Sequence, residues 1–280
     1  MWSIGALLKF LFRSRRRFSL RGCIVLALAV GVLLGNAPLV HAQTTSEPEE
    51  TISTDRPAVA DSSVVVPKGA LQFENGLLVT GAQGQSIVDF TETSVRFGLL
   101  GKTELRLGVP DYFHNLPAGT GTTSGFGDMS IGVKQQFGTL YGKFDISAVV
   151  FLSFPTGASG VSSHGYDPGL QVPWSYKLSE NWTAGGQLAS YWPTIAGKHT
   201  YTGETTFFID RQLTKPWDAF VEYAGDFPQR GGARNLLHFG SSYKLAPRHQ
   251  IDVHVGVGLS GAAPDHFVGI GYSFLFHVAR

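Results

Sequence analysis

From Ala70 to Phe276 apolar and polar side chains alternate with a period of two, and ionised residues gather in the polar rows. Successive side chains of a strand point to opposite faces, so this text specifies pleated strands with one apolar and one charged face. In the first segment Leu71, Phe73, Leu77 and Val79 alternate with Gln72, Glu74, Gly76 and Thr80. Further apolar rows run Leu105/Leu107/Val109, Met129/Ile131/Val133/Phe137, Ile146/Ala148/Val150/Leu152, Ile251/Val253/Val255/Val257 and Val268/Ile270/Tyr272/Phe274/Phe276. The opposite rows hold Glu92, Arg96, Glu104, Arg106, Asp128, Lys134, Asp145, Lys177, Asp210, Glu222, Lys244, Asp252 and His254. An ionised side chain facing lipid at the bilayer midplane costs a barrel roughly 2–4 kcal/mol, whereas a wet lumen accepts it. A soluble ligand-binding barrel has the reverse pattern, with its apolar rows inside. The rows therefore predict an all-β fold, an antiparallel transmembrane β-barrel with a charged lumen. On the outer face only Arg211 breaks the apolar rows, near a turn where it can snorkel to the headgroups.

The pattern predicts about twelve strands, over 70–80, 88–98, 102–110, 125–137, 142–153, 169–178, 181–192, 203–213, 217–226, 235–245, 248–259 and 266–276. Short turns near Leu99–Gly101, Gly138–Tyr141, Ser179–Glu180, Thr214–Pro216 and Ala246–Pro247 alternate with longer connections near 81–87, 111–124, 154–168, 193–202, 227–234 and 260–265. Outer-membrane barrels show this alternation, with short turns in the periplasm and long loops outside. An even strand count then leaves both termini periplasmic. Trp182, Trp192 and Trp217 fall near strand ends, where aromatic girdles sit.

The first 42 residues read as a signal peptide: six basic residues, the apolar run Cys23 to Gly35, then Val40-His41-Ala42. That run is about half the length a membrane-crossing helix needs. Ser14-Arg15-Arg16-Arg17-Phe18 looks like a twin-arginine signal, but that route carries folded cargo and a barrel must cross the inner membrane unfolded. Cleavage removes six positive charges and no acidic ones, so the net charge of +1 becomes −5, which argues against a nucleic-acid partner. It also removes Cys23, the only cysteine, and with it any disulfide or thiolate chemistry. Residues 43–69, interrupted by Pro48, Pro57 and Pro67, read as a periplasmic or lumen-facing segment able to plug the pore, and 70–280 as the barrel.

Within the lumen rows, Arg96 and Glu104 flank Leu100 symmetrically and so predict an inward cross-strand pair, with Arg106 one step further. Lys134 with Asp145, and Lys244 with Asp252, are candidate pairs across their own turns. Such pairs either neutralise each other on the wall or form a constriction that filters solutes. Asp210, Glu222 and Glu92 complete the lumen candidates. For catalysis, His164, His199 and His266 fall in predicted loops, His254 near Asp252 reads as a lumen hydrogen bond, and no Gly-x-Ser-x-Gly elbow occurs. The histidines lack metal-ligand spacing, and Gly125-Phe126-Gly127-Asp128 opens a strand rather than a helix and so is no phosphate loop. No catalytic residue, metal or cofactor is predicted.

Thr54-Asp55-Arg56-Pro57, Val66-Pro67-Lys68-Gly69-Ala70-Leu71-Gln72-Phe73-Glu74 and Gly125-Phe126-Gly127-Asp128-Met129-Ser130-Ile131-Gly132-Val133-Lys134 resemble the MetA-pathway of phenol degradation family of outer-membrane proteins. The resemblance implies an outer-membrane barrel acting as a transporter, with aromatic compounds as a candidate solute class. The resulting expectation is a passive channel for small molecules whose partners are outer-membrane lipid, its solute and, during insertion, the barrel assembly machinery. A lipid-acting hydrolase and a structural or adhesive barrel are the alternatives.

Overall fold

A computed structural model describes residues 51–278 apart from 83, 119 and 120, so the expected signal peptide and residues 43–50 lie outside the described residues. The strands are β1 (Ala70–Ala82), β2 (Gln85–Leu100), β3 (Thr103–Gly108), β4 (Tyr112–Ala118), β5 (Gly121–Phe126), β6 (Met129–Leu140), β7 (Phe144–Phe154) and β8 (Asp167–Lys177). They continue as β9 (Trp182–Tyr191), β10 (Thr194–Ile195), β11 (Lys198–His199), β12 (Thr202–Thr214), β13 (Trp217–Pro228), β14 (Arg234–Ala246), β15 (His249–Gly258) and β16 (His266–His277). Twelve of them form one antiparallel wall in the order β1-β16-β15-β14-β13-β12-β9-β8-β7-β6-β3-β2, and the pairing of β2 with β1 closes it. Each predicted strand has its counterpart.

The alternation works as the charge argument requires. Ile131, Val133, Val150, Leu188, Phe207, Phe239 and Ile270 are exposed on the outside, while Arg96, Lys134, Glu74, Glu104, Gln187 and Glu222 are buried inside. An exposed apolar belt around a buried polar interior inverts a soluble protein and suits a hydrocarbon surround. At the end carrying the short turns, the belt is edged by Trp182, Trp217 and Tyr243. Arg211 pairs with Trp182 on the neighbouring strand and lays its guanidinium 5.1 Å from the indole centroid.

Three sequence expectations need correction. The connection near 111–124 is no plain loop: it forms the β4–β5 hairpin, which pairs with β2 beyond the end of the short β3. Consequently β6 begins at Met129, and Asp128 lies between strands rather than on a lumen row. His266 opens β16 and His199 lies in the two-residue strand β11, not in loops.

Register differs as well, because β-bulges add a residue on one side of a hairpin. The bulge between Gly98 and Leu100 places Arg96 opposite Arg106, and Glu104 opposite Gly98. Lys134 faces Val149 while Asp145 faces Thr139, and Lys244 faces Gln250 while Asp252 faces Ser242. Neither of these predicted pairs forms across its turn.

Candidate functional site

The lumen is occupied from the turn end by residues 51–69, which make a circuit of the inner wall before entering β1. Ile52 enters beside the β14–β15 turn, its N–H bonded to the Pro247 carbonyl at 2.8 Å. Val59 and Ala60 donate to Glu222 on β13 at 2.8 and 2.9 Å, and Asp61 N–H reaches Gln187 on β9 at 3.1 Å. Ser63 meets Ser175 on β8 at 2.8 Å, Val66 N–H donates to Glu104 on β3 at 2.7 Å, and Gly69 N–H reaches the Gly98 carbonyl on β2 at 2.7 Å. An irregular backbone has no ladder partners, so its buried N–H groups need acceptors from the wall. Those acceptors are the inward carboxylates and amides.

Thr54-Asp55-Arg56-Pro57 is the anchor of this segment. Asp55 and Arg56 both donate backbone N–H groups to Glu74, at 2.9 and 3.0 Å, and Gln250 donates to Thr54 Oγ1 at 2.7 Å. The Asp55 carboxylate accepts the Ser62 N–H at 2.9 Å and faces Arg106, Arg96 at 3.2 Å and Lys134 at 3.4 Å. Burial alone would push this carboxyl up; Arg106, Arg96 and Lys134 outweigh it and hold it well below the usual carboxylate range. Arg56 spans the lumen the other way, with Nη1 on Glu92 at 2.6 Å and Nη2 on Asp252 at 3.3 Å. Its guanidinium fits because Gly76 and Gly271, partners across the β1–β16 ladder, leave the wall bare there; a Cβ at either position would collide with it. Gly98 likewise makes room for the Val66 and Pro67 carbonyls.

Arg96 is fully buried between Glu74 (2.8 Å) and Glu104 (2.9 Å), and also donates to the Ser53 and Val64 carbonyls. Arg106 binds Asp61 at 2.7 Å. The Arg96/Glu104/Arg106 cluster therefore serves the inner segment rather than lining an open constriction. Asp145 bonds Thr139 at 2.6 Å, and Asp210 lies with Asp218 and Lys244 on the inner wall toward the turn end, away from the anchor. His254 is partnered by His238 rather than Asp252: His238 Nε2 lies 3.0 Å from His254 Nδ1, and His238 Nδ1 lies 2.8 Å from Glu222. Reading single strands could not find this chain, because its members sit on three of them.

At the loop end the lumen widens into a cavity of about 670 Å³, bounded below by Asp55, Arg56, Val59 and Asp61. Gly125, Gly127 and Asp128 shape its rim. Asp128 accepts the Gly157 and Ser163 N–H groups at 2.9 and 2.8 Å, and side chains at Gly125 or Gly127 would press on Ala158 or Phe113. This motif folds the 154–166 connection back over β5. Sequence reasoning missed Glu74, Gln187, His238 and the glycine gap at Gly76 and Gly271. Glycine inside an otherwise polar lumen row was the available signal.

The sequence profile of the family described as MetA-pathway of phenol degradation matches residues 54–276. No curated protein matches the chain. Among solved structures, the COG4313 outer membrane channel from Pseudomonas putida F1 superposes with a TM-score of 0.58 at 12% identity, covering 76% of this chain and 98% of that one. The NanC porin (TM-score 0.52, 12% identity, 73% and 98% covered) and the KdgM porin (0.51, 11%, 74% and 99%) are similar too. At such identities the likeness is one of fold.

Proposed function

The chain belongs to the MetA-pathway of phenol degradation family, and on that premise we propose that it is a bacterial outer-membrane channel for passive passage of small molecules, gated by its own residues 51–69. The observation that carries this reading is how the lumen is filled. A small structural barrel fills its interior with side chains of its own wall, whereas this one is stopped by a separate segment held through hydrogen bonds and ion pairs, with a cavity beyond it. Polar contacts of this kind can be exchanged for water when the segment leaves. The apolar belt meets outer-membrane lipid, the assembly machinery inserts the barrel, and both termini lie on the periplasmic side with the short turns. Small aromatic compounds are the first solutes to screen, since the family takes its description from phenol degradation and Tyr191, Trp192 and Phe151 line the cavity. Single-channel recording of the mature protein in planar bilayers tests the reading: discrete current steps, growing when the anchor is weakened, support it. Silence from folded, inserted protein in both forms refutes it.

One contact favours the hydrolase alternative. His114 Nδ1 on β4 lies 3.1 Å from Ser124 Oγ on β5, both exposed. Ser124 Oγ also accepts the Asn115 N–H at 3.2 Å, which places it as a hairpin fastening. A nucleophile needs its base oriented by a third group, and among the described residues no hydrogen bond holds His114 Nε2. Labelling by a fluorophosphonate at Ser124, lost in Ser124→Ala, would revive the enzyme reading.

A further inference from the structure

We propose that the loop-end cavity is a cation site, so that the channel prefers small monovalent cations, inorganic or alkylammonium, over anions. The inference rests on the channel reading for its transport consequence, but the site itself is argued from side chains. Nine carboxylates and three guanidinium groups line the cavity. Each guanidinium is already engaged: Arg56 with Glu92, Arg106 with Asp61, and Arg234 with Asp226. Among the described residues no lysine or arginine forms an ion pair with Asp111, Asp128, Asp167 or Glu204; His199 lies 4.0 Å from Asp167.

One of these carboxylates also carries an idle acceptor: Glu92 is only 7% exposed, yet its Oε1 has no hydrogen-bond partner. Glu204, 4% exposed, stands directly opposite Asp226 across the β12–β13 ladder, so two acidic side chains share one patch of the wall. A buried acceptor without a donor costs free energy, and a bound cation relieves it. Walls of one sign in a low-dielectric cleft concentrate counter-ions and exclude co-ions. The carboxylates lie on both sides of the cavity, with Glu92 and Asp111 on one wall and Glu204 and Asp167 toward the other, so an entering ion meets them wherever it passes.

The test uses the whole mature protein and the Asp167→Asn/Glu204→Gln variant. Both replacements keep an acceptor oxygen where Thr194 and Gln187 now donate. Under a roughly tenfold KCl gradient the reversal potential should carry the sign of potassium, with a permeability ratio of about three or more. That ratio should fall by about half in the variant. A reversal potential at zero or of the chloride sign overturns the proposal. A second readout needs no current: with Trp174, Trp182 and Trp217 replaced by Phe, caesium should quench Trp192 fluorescence more than iodide does, and the excess should shrink in the charge variant. Equal or iodide-favoured quenching overturns the cation site. A silent bilayer with caesium-favoured quenching sinks the channel reading and leaves the site standing.

Discussion

Replacing Arg56 with alanine removes its two ion pairs, to Glu92 on β2 and to Asp252 on β15. Glu92 and Asp252, 7% and 2% exposed, are then left buried without a countercharge. Deleting one member of a buried pair costs about 3–5 kcal/mol. Arg56 belongs to no β-ladder, so the cost falls on docking of residues 51–69 and the barrel wall stays intact. At about 1.4 kcal/mol per factor of ten, the docked-to-undocked ratio should drop by a factor of roughly a hundred to several thousand. Hydrogen exchange reads this directly, since the Val59, Ala60, Asp61 and Val66 amides are protected by Glu222, Gln187 and Glu104. In Arg56→Ala these four amides should exchange faster together by that factor, and single-channel openings should become longer and larger. Arg56→Lys, which retains a cation, should fall between. Unchanged exchange, within about threefold, together with wild-type conductance would refute the reasoning. The segment would then be held by other contacts or would not leave as a unit.

Gly76→Ala or Gly271→Ala should release the segment without touching a charge, because a methyl group would take the place of the guanidinium; conductance and the same four amides report it. In Glu222→Gln one acceptor oxygen is lost among the Val59 and Ala60 N–H groups and His238, at about 1–3 kcal/mol. Exchange should rise at Val59 and Ala60 while the Asp55 amide on Glu74 keeps its rate. The Asp55 carboxyl is depressed when docked, below its ordinary 3.8, so its contribution to docking is full above that value and fades as pH falls below it. Asp55 should therefore keep its hold in recordings from neutral pH down to about 4, and release confined to more acid conditions is the expected result. Opening that begins near pH 6 would show that another group controls docking.

The wall was legible because its rule is local. Ile251, Val253, Val255 and Val257 announce an outward face with no knowledge of their neighbours, and the charges of the intervening rows say which side is wet. Partnership was legible only for Arg96 with Glu104, because the rest depends on register and on chain ends far apart. Even there the bulge at Gly98 sets Arg96 opposite Arg106, so its ion pair with Glu104 runs diagonally across the two strands. Nothing near Asp55 and Arg56 in the text points to Glu92, Lys134 or Asp252, since those contacts exist only once the sheet has curled shut. The β4–β5 hairpin escaped for a different reason: its strands carry Pro117, Gly121 and Gly125 and lack clean alternation.

The circuit traced by residues 51–69 also dictates an order of events during assembly. Its acceptors come from β1, β2, β3, β8, β9, β13 and β15, strands that share one lumen only after β1 has joined β16. The docking surface thus has no existence in a half-built sheet, and the segment settles into place after the seam zips. That order leaves each newly closed barrel with its bore unplugged until the same chain seals it.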